Sequence, residues 1–160
     1  MAEAWDLALL KLKEVCERNL APFTPITLTI HVRVPLESAW ACWNSAECVR
    51  KWNHASDDWH CPAAANDLRV GGRYVYTMAA RDGSASFDFA GTYTEIVPGE
   101  RITSQLDDGR MVRTVFEAVG PDRTRIVETF EAEHEYPLDR QREGWQAILD
   151  NFRKTMESDK

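Results

Sequence analysis

Residues 73–132 read RYVYTMAARDGSASFDFAGTYTEIVPGERITSQLDDGRMVRTVFEAVGPDRTRIVETFEA. Runs rich in Val, Ile, Thr, Tyr and Phe fall at 73 to 80, 85 to 97, 101 to 106, 110 to 118 and 123 to 133, and each reads as a strand. The separators are turn chemistry: Asp82-Gly83, Pro98-Gly99, Asp108-Gly109 and Gly120-Pro121-Asp122. Connections this short leave consecutive strands only antiparallel pairing.

Before this block, Ile26, Leu28, Ile30, Val32 and Val34 alternate with Thr27, Thr29, His31 and Arg33, the period of a strand with one buried face. After Pro35, LESAWACW and SAECVRKW read as two short helices, with Asn44 and Glu47 spaced like a capping box between them. Residues 53 to 68 read as a polar segment, and Gly71-Gly72 as a turn. Phosphate-cradling glycines lead into a helix, whereas these precede a strand. Beyond the strands, Trp145, Ile148, Leu149, Phe152 and Met156 form the apolar stripe of a long helix, with Arg142, Glu143, Asp150, Arg153 and Lys154 on its wet side. Its first member, Trp145, is expected to be largely buried. The fold class is therefore α+β, one antiparallel sheet wrapped around one long helix. Residues 3 to 20 place Trp5, Leu9, Leu12, Cys16 and Leu20 at helical spacing until Pro22 and Pro25 intervene, which predicts an extra N-terminal helix. The expected division is an N-terminal helical extension over 1–24 and a single domain over 25–158.

At 160 residues the chain suits one domain with one sizeable core. Its net charge of −7 leaves no basic stripe for phosphates, so neither nucleic acid nor an anionic membrane is an expected partner. Cys16, Cys42, Cys48 and Cys61 form no CxxC pair, and the N-terminus does not read as a secretory signal, so a reduced, cytoplasmic protein is expected. No apolar run approaches the length needed to cross a bilayer.

Several short motifs go together. Pro35 and Trp40 match P-x-x-x-x-W, Lys51-Trp52 matches K-W, Arg69 to Gly72 reads R-V-G-G, and Gly144, Trp145 and Leu149 match G-W-x-x-x-L. In these, from about Ile26 to about Met156, the chain resembles the AHSA1-like (activator of Hsp90 ATPase homologue 1-like) branch of the START/Bet v 1-like (SRPBCC) superfamily. The resemblance implies a helix-grip fold: a curved antiparallel sheet around the long C-terminal helix, two short helices after the first strand, and ligands held between sheet and helix. The first 24 residues lie outside the pattern.

Residues 51–76, KWNHASDDWHCPAAANDLRVGGRYVY, concentrate rings, acids and histidines. His54, Asp57, Asp58, His60 and Cys61 offer metal donors, yet HASDDWHC matches no ligand spacing, and no metal or cofactor is expected. No serine sits in a nucleophile elbow and no cysteine in a catalytic signature, so no catalytic residue is assigned. Asp57, Asp58, His60 and Glu128 are the side chains that burial could turn to acid or base work. The aromatic residues make the stronger pattern. Tyr74, Tyr76 and Met78 alternate on one strand and Phe87, Phe89 and Tyr93 on the next, while Phe116, Phe130, Trp145, Leu149 and Phe152 belong to later elements. These either line an apolar pocket or fill the core. Gly91, inside a strand pattern, points to a bend or a close approach. Under the resemblance, Trp52, Trp59 and His60 stand near the mouth of that pocket. The leading expectation is a small hydrophobic ligand held between sheet and C-terminal helix. Alternatives are an Hsp90-type co-chaperone or other protein-interaction module, and a cyclase- or hydrolase-like enzyme of the superfamily. The face of Trp5, Leu9 and Leu12 docks on its own domain or on a second copy, which leaves a homodimer open.

Overall fold

The alternating run expected from Ile26 forms the first strand, β1 (Thr24–Val32), with Ile26, Leu28, Ile30 and Val32 buried and the residues between them exposed. The structure, a computed structural model, describes residues 23–158. The expected N-terminal helix, and with it the faces of Trp5, Leu9 and Leu12, lies outside the described residues. After β1 come α1 (Leu36–Trp43) and α2 (Ala46–Trp52), then β2 (Trp59–Asn66), β3 (Arg73–Ala80), β4 (Ser86–Val97), β5 (Arg101–Leu106), β6 (Met111–Gly120) and β7 (Arg123–Ala132), and finally α3 (Leu138–Ser158).

All seven strands join one antiparallel sheet in the order β1-β7-β6-β5-β4-β3-β2. From β2 to β7 every neighbour is a sequence neighbour, as the short turns require. Only β1 pairs out of sequence, with β7, so the α1–α2 connection carries the chain from one edge of the sheet to the other. The sheet curls into a half-barrel, and α3 lies along its concave side. Leu149, Phe152 and Met156 sink from α3 into a core that includes Ile30, Val32, Phe116, Ile126 and Phe130.

Three local expectations are corrected. The segment read as polar contains β2, an edge strand whose register with β3 slips between His60 and Ala63, around Pro62. Pro62 and three consecutive alanines erase the alternation that would have marked it, and an edge is where a sheet tolerates proline. The capping box on Asn44 and Glu47 does not form. Ser45 is the N-cap of α2 and its hydroxyl accepts from the Cys48 N–H, while the Asn44 amide donates to the Trp40 carbonyl at the end of α1. Nor are all four thiols free: the tight α1–α2 corner brings Cys42 and Cys48 to a Cα separation of 5.3 Å, and they form a disulfide. Cys61 is buried and free.

Candidate functional site

Between the concave face of the sheet and α3 lies a cavity of about 290 Å³. That is near the lower end of the range for small-molecule sites. Strand alternation sets its wall. Tyr74, Tyr76 and Met78 come from β3 and Phe87, Phe89 and Tyr93 from β4. Ile102 and Ser104 come from β5, Val112 and Thr114 from β6, Glu128 from β7, and Trp145 and Ile148 from α3. Phe87, 51% exposed, marks where the cavity reaches the surface. Arg110, Glu133 and Gln141 also line it, and Trp43, Asn44, Trp52 and Asn53 come from the two short helices and their ends.

Trp145 is only half-buried, against expectation, because it stands between core and cavity. Its ring stacks on Phe130 at 4.0 Å and meets Phe89 edge-on at 5.7 Å. Phe116, Leu149 and Phe152, expected at the site, are buried core instead. Phe152 packs edge-on against Trp43 and Trp52, both at 5.1 Å, so it supports two lining rings from behind. Trp59 and His60 do not line the cavity either. Trp59 lies 6.0 Å from Phe87, and His60 Nδ1 is 3.1 Å from the Ala79 carbonyl oxygen. Among the described residues no three His, Cys, Asp or Glu side chains converge as a metal site. Burial, then the charge of Arg81, holds His54 below the ordinary histidine value.

The polar groups of the wall are few. The Tyr74 and Ser104 hydroxyls share a 2.8 Å hydrogen bond, which brings the Tyr74 ring across β4 at Gly91. A methyl group on Gly91 would stand 2.8 Å from both the Gln105 carbonyl oxygen and the Tyr74 hydroxyl, so this is a close approach that only glycine permits. Burial raises the Tyr74, Tyr76 and Tyr93 hydroxyls above their ordinary value and keeps them neutral. The Asn66 amide, anchored on the Asn44 carbonyl at 2.9 Å, also donates to the Tyr93 hydroxyl at 3.2 Å, tying β2 to α1 and β4.

Two lining residues are left short of partners among the described residues. Trp52 is 4% exposed and its indole N–H has no acceptor there. Asn53, 7% exposed, turns its side chain to the Cys61 thiol. Glu128 is 6% exposed, and its carboxylate accepts a single long bond, 3.4 Å from the Thr114 hydroxyl. Burial pushes its pKa up to about 8 against that bond. Of these, Glu128 was legible as an acid-base candidate. Asn53, Ser104 and Thr114 were missed, because small polar residues in a strand or at a helix end carry no aromatic signal.

The model of the family described as activator of Hsp90 ATPase homolog 1-like protein matches residues 33–157, most of the chain. The chain belongs to this family. Among solved structures, an AHSA1-like protein from Aeromonas hydrophila is 42% identical, with 84% of this chain and 93% of that one covered and a TM-score of 0.79. A protein from Cytophaga hutchinsonii is 45% identical over 84% of this chain and 92% of its own, with a TM-score of 0.72. The Aha1 dimer from Colwellia psychrerythraea, 15% identical with 84% and 96% covered and a TM-score of 0.63, shares the fold. No curated protein matches the chain. The AHSA1-like relatives agree with the helix-grip architecture inferred from the strands and the C-terminal helix.

Proposed function

We propose that this AHSA1-like protein binds a small hydrophobic molecule in the cavity between its sheet and α3. The observation that carries the reading is the make-up of that wall: aromatic rings around about 290 Å³, with the buried indole N–H of Trp52 unpaired among the described residues. A filled core would leave no such volume, and a buried donor without a partner costs roughly 1 to 3 kcal/mol. A ligand with an apolar body and a hydrogen-bond acceptor relieves both. Tyr74, Tyr76, Met78, Phe87, Phe89, Tyr93, Trp52 and Trp145 are the proposed contacts.

The test is titration with the neutral fluorophore N-phenylnaphthylamine. We expect saturable enhancement at one site per chain, weakened several-fold in Phe89→Leu and Tyr76→Leu while their urea midpoints move far less. No enhancement in the parent, with both variants merely destabilised, would mean that the rings only fill a core.

The same reading takes residues 25–158 as the binding domain and 1–24 as an extension to it. It takes the protein as cytoplasmic, where glutathione and thioredoxin would open the Cys42–Cys48 bond. A homodimer is part of the proposal on the strength of the Colwellia relative, and light scattering on the full chain decides it.

A further inference from the structure

Glu128 is more than one polar group among many in this wall. Its side chain enters the concave face between Ile126 and Phe130 on β7, with Leu28 of β1 beside it in register. Among the described residues no cation lies within ion-pair distance of it, and Thr114 is its one hydrogen-bond donor, at 3.4 Å. The cation in the same wall, Arg110, is already held by Asp108 at 2.9 Å and by the Glu131 carbonyl at 3.2 Å. Eight of the lining residues are aromatic. Ring faces are electron-rich and attract a cation, and a dry carboxylate without a counter-ion is costly. A second carboxylate, Glu133, lines the cavity, accepts the Glu135 N–H at 3.1 Å and forms no ion pair among the described residues.

We propose that the ligand of this cavity is an organic cation, an apolar body carrying a protonated or quaternary amine that pairs with Glu128 inside the aromatic wall. The inference rests on the cavity reading above and names the ligand's charge. A quaternary or substituted amine suits the site because it is weakly hydrated and gives up little on leaving water.

Proton release follows from the pairing. Raised to about 8, the Glu128 carboxyl is mostly protonated at pH 7, so a cation that binds there displaces one proton from the carboxyl to solvent. The other titratable groups facing the cavity are Tyr74 and Tyr76 on β3, Tyr93 on β4, Arg110 just before β6 and Glu133 after β7; β1 and α3 bring Leu28, Trp145 and Ile148 to it or beside Glu128. The tyrosines stay neutral because burial raises them, and Arg110 is paired with Asp108. Glu128 therefore dominates the pH response near neutrality.

The experiment compares benzyltrimethylammonium with neopentylbenzene, its carbon isostere, by displacement of N-phenylnaphthylamine from the full-length protein. The expected result is that the cation binds at least about tenfold more tightly at pH 8, within the range of desolvated cation–aromatic contacts. Its affinity should fall about tenfold for each pH unit below 8, while that of the hydrocarbon stays level. In Glu128→Gln the pH dependence of cation binding should vanish, and its advantage over the hydrocarbon should shrink to what the ring faces alone provide. Equal affinities in the parent, tighter binding of the hydrocarbon, or a cation preference that keeps its full size and pH dependence in Glu128→Gln would each overturn the proposal. The parent's pH profile decides the matter by itself if the variant does not fold. If N-phenylnaphthylamine and both isosteres fail to bind, the cavity reading falls and takes this one with it; if only the charge preference is missing, the cavity reading stands.

Discussion

A carboxyl placed between Ile126 and Phe130 is held against its preference for water, and this makes the stability of the free protein depend on pH in a direction unusual for an acid. Glu128 is raised to about 8 from an ordinary value of 4.5, so between those values the native state keeps a proton that the unfolded chain has released. Its contribution to stability is greatest below about 4.5 and is lost as pH rises to about 8, at up to roughly 1.4 kcal/mol per pH unit. Glu128→Gln should remove that slope, which urea titrations of parent and variant across this window will show. Superimposable pH profiles would mean that the carboxyl is not isolated as described. Gly91 gives a second test at this scale. Gly91→Ala puts a methyl group against the Gln105 carbonyl and the Tyr74 hydroxyl and should cost about 1 to 3 kcal/mol. A loss too small to measure would remove the close approach from the account. The sequence made Gly91 legible as a glycine inside a strand, and Glu128 as an acid that burial could shift. It did not reveal that Thr114 would be the carboxylate's lone donor, because that depends on the register of β6 with β7.

Elements were legible where one face of each is buried and the period is clean. The strands from Arg73 onward and the apolar stripe of α3 stand essentially where the turns and the spacing put them. β2 was hidden because it lies at an edge, slips in register around Pro62 and runs through three alanines, so neither period nor β-propensity marks it. The α1–α2 corner was read correctly as two helices and wrongly in its detail, since Ser45 rather than Asn44 faces the first free N–H groups of α2. Ser45→Ala should therefore cost about 1 kcal/mol in a urea titration, and Asn44→Ala should not act through that cap. An Asn44 variant that frays α2 while Ser45→Ala has no effect would restore the discarded capping box. The same corner carries the Cys42–Cys48 bond, and two helix ends meeting in space were not visible from a spacing that matches no motif. Breaking that bond with reductant should lower stability by about 2 kcal/mol, the expectation for so short a loop. Thermal unfolding that ignores reductant would mean that the corner is fixed by packing alone.

For the whole molecule, the sheet order and the single long helix leave a space that the core residues do not fill. The sequence pointed to the right strands for its wall but assigned Phe116, Leu149 and Phe152 to it, because alternation fixes which face a residue shares and not how deep along the helix the packing closes. Phe116 and Phe152 close one end behind Trp43 and Trp52, Leu149 is buried in the same core, and the open end runs to Phe87. The central claim is that a small apolar molecule occupies this space. Six tryptophans report on it in one spectrum, since each gives its own indole N–H resonance. Trp43, Trp52 and Trp145 line the cavity, whereas Trp40 and Trp59 do not. Titrating isotope-labelled protein with N-phenylnaphthylamine should shift the indole signals of Trp43, Trp52 and Trp145, most of all the unpaired N–H of Trp52, and leave that of Trp40 in place. Saturating probe that moves none of the three, or that moves only amides around the exposed Leu68 and Val70, would contradict the account.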